Sequence, residues 1–414
     1  MKFKKTTLSN GLRVLSERHS ESRCAVVGIW VPMGTRNEPR ELVGVSHLIE
    51  HMVFKGTTDF SAFELARSLE CVGGEVNAYT GREHTCYHTL SLSADLDLSV
   101  QVLSQLVRHA VFDPKEFEKE RKVIQQEILM CADDLEEYCY DLFFEKVFGE
   151  SSLGWPILGT MESIKKMKRD QAFEYYKNHY TPEKLVVSAA GDVDHDQLVE
   201  LVEKHLGGEW GKPAPVEPVK TPKILKLQDV FHKDSEQVHI IASFPSSSYP
   251  HADRFDSYVL NTMLGGGMTS RLYQKIREER GLVYSIFSLL NTFVDCGVQT
   301  IYAGTEKENV DEVISLIVEE LYGLGQKSLP KEDVEMYKIQ ARAQILIASE
   351  DIESRMNSIA INEMVFGDFR SVDSVIQEVD RVTPESVDAY IKKMVKPENL
   401  GFFMLGPMET EPAD

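Results

Sequence analysis

The sequence has no long hydrophobic run. Its longest uncharged apolar stretch, AVVGIWVPMG at 25–34, is about half of what crosses a bilayer. The opening MKFKKTTLSNGLRVL has basic residues but no continuous apolar segment behind them, and a secretory signal requires one. A soluble, unexported, cytoplasmic protein with no membrane partner is therefore expected. Paired cysteines are missing as well. Cys24, Cys71, Cys86, Cys131, Cys139 and Cys296 are scattered, with no CxxC spacing, which argues against a disulfide framework or a cysteine-ligated zinc and fits reduced thiols. Positive charge is scarce. Lys and Arg total 45 against 66 Asp and Glu, a net charge of -21, so phosphates are repelled and nucleic acid is not an expected partner. The glycines of GGGMTSRL (265–272) lack the GxxxxGK[ST] order of a phosphate-binding loop, and the stretch reads as a turn leading into a helix.

What is present describes an ordinary globular chain. Its 414 residues, 42% hydrophobic and 27% charged, are too many for one core and predict two or three compact units. Around 207–223, GGEWGKPAPVEPVKTP gathers four prolines and three glycines, a linker signature. The division expected is 1–208, a linker at 209–223, and 224–414. The halves resemble one another. AVVGIWVP (25–32) is matched by VHIIASFP (238–245), and SADLDLSVQVLSQLV (93–107) by TEKENVDEVISLIV (305–318). The offsets, 213 (238 − 25) and 211 (318 − 107), nearly agree, as a duplicated unit requires.

Within the first half, Asn10-Gly11 marks a hairpin turn, and 75–92 alternates around Gly81 as one or two extended segments. Residues 113–149 read as helix, with Asp113 as N-cap and Pro114 at the first helical position. Strands followed by runs of helix predict an α+β fold of two homologous halves, each a largely antiparallel sheet packed with helices.

The chemistry concentrates in HLIEHMVF (47–54). On a helix His47 and His51, four residues apart, share a face, and Glu50 borders it. Two imidazoles suit Zn²⁺, a hydrolytic site keeps one position open for water, and an adjacent carboxylate can take the proton. The plainer reading is a core helix with two satisfied histidines. At the matching place the second half has LNTMLGGG (260–267), apolar but without histidine or glutamate, so the fold alone does not require them. A third ligand is absent from the motif, and 66 acidic residues leave the choice open. His84 and His88 are also four apart, but in extended chain they lie roughly 13 Å from each other, too far to share an ion; packing or polar support is their expected role.

HLIEH is the inverse of the HExxH order and the signature of the inverzincins. The wider stretch GVSHLIEHMVFKGT (44–57) resembles the pitrilysin-type (M16) zinc metallopeptidases, in their processing-peptidase-like (M16B) subfamily. The resemblance implies a zinc site of His47, His51 and a glutamate some 76 residues after the second histidine. That position is Glu127 (127 − 51 = 76), in EKERKVIQQEI. It also implies that Glu50 activates water and that Glu120, two helical turns before Glu127, supports the site. GGEVNAYTGREHTCY (73–87) is similar to the family's edge strand, where substrate adds as an extra strand, with Asn77 and Ala78 at its centre. SRLYQKIREERGLVYSIFS (270–288) resembles the family's arginine–tyrosine segment, which implies that Arg277 and Tyr284 reach across to bind the substrate backbone and steady the oxyanion.

The function so implied is zinc-dependent endoproteolysis of unstructured peptides, and an acidic chain suits basic ones. Two chains facing each other as a clamshell are implied too. Because both residue sets occur on one chain, the expectation is a homodimer. Two other readings remain: a non-catalytic structural or partner-binding member of the same fold, and a structural zinc, which would leave Glu50 unexplained.

Overall fold

The computed structural model describes residues 2–211, 219–326 and 328–409; 212–218 of the expected linker lie outside the described residues. The first half runs β1 (Lys2–Thr7), β2 (Arg13–Arg18), β3 (Cys24–Val31), α1 (Val45–Val53), α2 (Ala62–Glu70), β4 (Glu75–Thr80) and β5 (Thr85–Leu92). It continues with α3 (Leu96–His109), α4 (Pro114–Asp133), α5 (Leu135–Phe148), α6 (Met161–Lys166), α7 (Arg169–His179), β6 (Val186–Gly191) and α8 (His195–Leu206). The second half repeats the plan: β7 (Gln228–His232), β8 (Val238–Ser246), α9 (Arg254–Gly265), a π-helical turn at Tyr273–Glu278, β9 (Val283–Thr292) and β10 (Gly297–Thr305). Then follow α10 (Val310–Gln326), α11 (Lys331–Ser349), α12 (Ile352–Phe366), α13 (Val372–Asp380), α14 (Pro384–Met394) and β11 (Gly401–Gly406).

The sheets share one topology. The first is ordered β1-β2-β6-β3-β5-β4 and the second β7-β11-β8-β10-β9, so five strands correspond one to one and β1 is an added edge. All pairings are antiparallel except β2 with β6 and β7 with β11. That is the α+β architecture of two halves. The helix expected over 113–149 is two helices. Asp113 caps the first, its carboxylate accepting from Lys115 and Glu116 N–H at 2.8 and 3.2 Å. Asp134 interrupts and caps the second, accepting from Glu136 and Glu137 N–H at 3.1 Å, because a short carboxylate bonds its own backbone better at a helix start than inside one. None of the six cysteines is in a disulfide.

The compact units cross the expected 1–208 and 224–414 division in two places. One unit comprises Met1–Met130, Trp155–Val219 and Ala348–Arg370; the other comprises Cys131–Gly154, Lys220–Ile347 and Ser371–Asp414. Each unit therefore contains one helix from the other half of the sequence, α12 in the first and α5 in the second. This explains the strand composition. In β3, Ala25, Val27, Ile29 and Val31 join the core under α1 and α3, while Val26 and Trp30 point to the opposite face and pack with Met356, Ile359 and Ala360 of α12. A strand buried on both faces reads as a continuous apolar run. Gly28 lies where a Cβ would sit 2.5 Å from the Met356 sulfur, so the helix rests on bare backbone there. Arg355 of α12 donates to the buried Glu17 of β2 at 2.6 Å, and Glu363 accepts from Lys5 at 2.7 Å. In the second unit, Phe143, Phe144 and Val147 of α5 pack with Ile241, Val298 and Phe403 of the second sheet.

Candidate metal centre

α1 crosses the first unit's inner core with Leu48, Ile49, Met52 and Val53 fully buried. That spacing is one helical face, and it leaves His47, Glu50 and His51 on the other. The helix begins at Gly44, whose φ of +89° and whose contact with Gly159 (2.7 Å from where a Cβ would stand) both exclude a side chain. With no N-cap side chain, the buried amides at the helix start are satisfied from a distance: the Glu38 carboxylate accepts from Gly44 N–H and Ser46 N–H, both at 2.8 Å. Burial pushes the Glu38 carboxyl up to about 7, against the pull of those hydrogen bonds.

α4 presents the partner face. Phe117 and Ile124 are buried in the core, and Glu120 and Glu127, each three residues further along, sit beside them. His51 Nδ1 and Glu120 Oε2 are 3.0 Å apart, and Glu120 Oε1 accepts from Lys55 at 3.0 Å. When Nδ1–H donates to the carboxylate, the imidazole has Nε2 left as its metal-binding nitrogen. That nitrogen lies 3.5 Å from Glu127 Oε2, and His47 Nε2 lies 4.0 Å from the same oxygen. The two rings stand 4.6 Å apart, edge to face. Burial first, and the neighbouring His51 second, lower His47 to about 3, so it is a neutral imidazole. Glu127 Oε2 is buried and accepts no hydrogen bond among the described residues.

Acceptor atoms thus face one another, which is unfavourable unless a cation lies between them. Zinc bound tetrahedrally at about 2.0–2.2 Å sets its ligand atoms roughly 3.4 Å apart, close to the 3.5 and 4.0 Å seen here. His47, His51 and Glu127 are the one group of this kind found among the described residues. The residues fit the metal. Glu50 accepts from Thr80 Oγ1 at 2.5 Å. Burial raises its pKa, and the charges of His51 and Glu127 also act on it.

Thr80 closes β4, the edge strand opposite β1 in the first sheet. Gly81 N–H binds the His84 carbonyl at 2.8 Å, and the register pairs Asn77 with His88 and Ala78 with Tyr87. Antiparallel alternation then turns the backbone groups of Val76, Ala78 and Thr80 toward the open edge. The Asn77 side chain folds over that edge, its Oδ1 accepting from Ala78 N–H at 2.8 Å. His84 is in the turn, 5.1 Å from the Trp30 ring, and His88 is in β5, so these two pack as expected. Arg277 and Tyr284 belong to the second unit, where the guanidinium lies 5.4 Å from the Tyr284 ring. Tyr284 is 76% exposed.

Residues 13–161 match Insulinase (Peptidase family M16), and 166–341 match the Peptidase M16 inactive domain. The chain belongs to the M16 peptidase family. It is 36% identical to an uncharacterized zinc protease of Mycobacterium leprae, over 98% of this chain and 92% of that protein. It is 33% identical to the uncharacterized zinc protease YmxG of Bacillus subtilis, over 99% of this chain and all of the relative. A protease from Helicobacter pylori has the same fold, with a TM-score of 0.90 at 22% identity, over 98% of this chain and 99% of that one. Among the described residues no helix is long and apolar enough to cross a membrane.

Three site residues were missed by sequence reasoning. Glu38 caps α1 from six residues before Gly44, a distance with no local signature. Thr80 and Lys55 were hidden because each acts by holding a carboxylate, Glu50 or Glu120. The even spacing of Ala78 and Thr80 on one strand is the signal that could have drawn attention to Thr80.

Proposed function

We propose that this chain is a zinc-dependent endopeptidase acting on unstructured peptides. The observation that carries the reading is the convergence of three acceptor atoms, from His47, His51 and Glu127, with Glu50 beside them. Zinc held there supplies a Lewis acid that polarises a carbonyl and makes water acidic near neutrality. Glu50 takes the proton from the attacking water and returns it to the leaving amine, a role that suits a carboxylate whose basicity is raised by burial. Thr80 holds Glu50 in place, Glu120 fixes the His51 tautomer, and the open edge of β4 at Asn77 and Ala78 binds substrate backbone irrespective of sequence. Arg277 and Tyr284 bind the peptide backbone in this reading, and the assembly is a homodimer. The chain's acidity suits basic peptides.

The test compares cleavage of a long, basic, unstructured peptide by the wild type and by Glu50→Gln, with zinc content measured in both. Activity in the wild type and a drop of about 10²–10⁴-fold in a variant that keeps its zinc is expected. Zinc in both proteins with cleavage by neither would favour a structural or partner-binding role. Absence of zinc from both would sink the ligand assignment.

A further inference from the structure

One short loop holds both elements that carry Glu50 and its hydrogen-bond donor. Residues 33–38, between β3 and α1, meet the helix at one end and the β4–β5 hairpin at the other. Toward the helix, Glu38 accepts from Gly44 and Ser46 N–H, both at 2.8 Å. Toward the hairpin, Arg36 N–H donates to the Arg82 carbonyl at 2.9 Å, and the Arg36 guanidinium donates to Glu83 Oε1 at 2.7 Å. The Met33 carbonyl accepts from Thr85 Oγ1 at 3.0 Å. At Gly34 the approach is backbone to backbone, and a Cβ there would collide with the Gly81 carbonyl oxygen. Arg36 is 6% exposed, and a cation so far out of water depends on its carboxylate. The grip falls around Thr80. Thr80 and Thr85 face each other across the hairpin, their hydroxyl oxygens 3.5 Å apart.

We propose that Arg36 is a positioning residue for the peptidase reaction: it clamps the hairpin to the loop that also caps α1, and so fixes Thr80 against Glu50. The inference rests on the peptidase reading above. β4 is the edge of the first sheet, so its hairpin end is held from one side of the sheet alone, and α1 is a separate element. The Thr80 hydroxyl has one proton, and Glu50 receives it at 2.5 Å. Sliding the hairpin along α1 breaks that bond and frees the Glu50 carboxylate to turn away from the water it deprotonates. A misplacement of about 1 Å can cost about 10²-fold in rate. The clamp acts on the turn, residues 81–84, beyond the open backbone at Asn77 and Ala78. Its loss therefore falls on the rate of the chemical step and not on peptide binding.

The experiment measures kcat, KM and zinc content with a quenched fluorescent, unstructured peptide, for the wild type, R36M, R36K, T80V and R36M/T80V. R36M should lower kcat by about tenfold or more, with zinc retained and KM within about twofold of the wild type. R36K keeps the cation and should recover part of the loss. T80V should lower kcat as well, and R36M added to T80V should cost almost nothing further, because the two act on one contact. E83Q weakens the same clamp from its more exposed side; it should show a milder form of the same split, and it carries the test if R36M does not fold. Losses that add in R36M/T80V overturn the proposal. So does an effect confined to KM or to zinc content, or full activity in R36M or, where R36M does not fold, in E83Q. Failure of the underlying reading looks different: the wild type then cuts no peptide, and the role of Arg36 falls with it.

Discussion

The two units build one topology around two different helix pairs. In the first, α1 meets α4 through His47, His51, Glu120 and Glu127, with 3.0 to 4.0 Å between facing polar atoms. In the second, the corresponding helices α9 and α11 are joined by Tyr258, whose hydroxyl donates to Gln344 Oε1 at 3.0 Å. That link is a neutral hydrogen bond at an exposed position, and both helices bury apolar residues in the same core. The first unit instead gathers a histidine lowered to about 3 by burial, a glutamate raised by burial, and a carboxylate oxygen buried without a hydrogen bond. Groups of this kind oppose folding of the metal-free protein. The fold does not need them, as the second unit demonstrates, so their presence is a matter of chemistry.

The comparison breaks most visibly at Glu127. Glu127→Ala should abolish peptide cleavage and weaken zinc binding by more than the ~10–100-fold that a supporting group is worth. Hydrogen exchange localises the effect: zinc should protect amides of α1 and α4 in the wild type, not in the variant, and leave α9 and α11 unchanged in both. Protection that appears equally in α9 and α11 would mean that the metal acts on the fold at large. Glu120→Gln is the next step down. It keeps the shape but weakens the hydrogen bond that fixes His51 Nδ1–H, and zinc affinity measured by chelator competition should fall by about 10–100-fold.

How much of this was legible depends on distance along the chain. HLIEH was readable because helical spacing is local, and two histidines at i and i+4 share a face whatever the helix packs against. Glu127 lies 76 residues after His51; family resemblance reached it, where composition did not. The duplication was readable from matched strands, and the shared strand order agrees with it. The helix exchange was not. The hydrophobic faces of α5 and α12 say that each packs on something, and nothing in them says which sheet. Strands apolar on both faces, such as β3 and β11, were the hint that a further layer was needed. Glu38 stayed hidden because a cap delivered from a preceding loop has no fixed spacing.

Glu38 also gives the comparison a pH dependence, since α9 begins at Asp253 without a side-chain cap hydrogen bond. The Glu38 carboxyl is raised from 4.5 to about 7 in the fold. The folded state therefore binds the extra proton between those values. The stabilising contribution is complete below pH 4.5, declines as pH rises, and is gone once pH exceeds about 7. Wild type should lose up to about 3 kcal/mol across that window relative to Glu38→Gln, which does not titrate. Urea unfolding of the metal-free proteins at several pH values measures the difference. Parallel curves would mean that the two backbone hydrogen bonds keep the carboxylate ionised throughout.

The smallest effect is expected in the second unit, where Tyr258 and Gln344 link the corresponding helices. Tyr258→Phe removes one hydroxyl and leaves the Gln344 amide in contact with water. A net hydrogen bond contributes about 0.5–1.5 kcal/mol, and this one, on an exposed helix surface, belongs at the low end. Thermal unfolding should shift slightly, with zinc content and peptide cleavage as in the wild type. A large loss of stability would mean that the α9–α11 contact holds its unit together as strongly as a filled metal site holds α1 to α4. The charged set in the first unit would then replace a strong neutral contact, and its cost to folding could not be read from the second unit as a baseline. A small loss keeps that baseline, against which the unfolding of the metal-free protein measures what the first unit's histidines and carboxylates cost the fold.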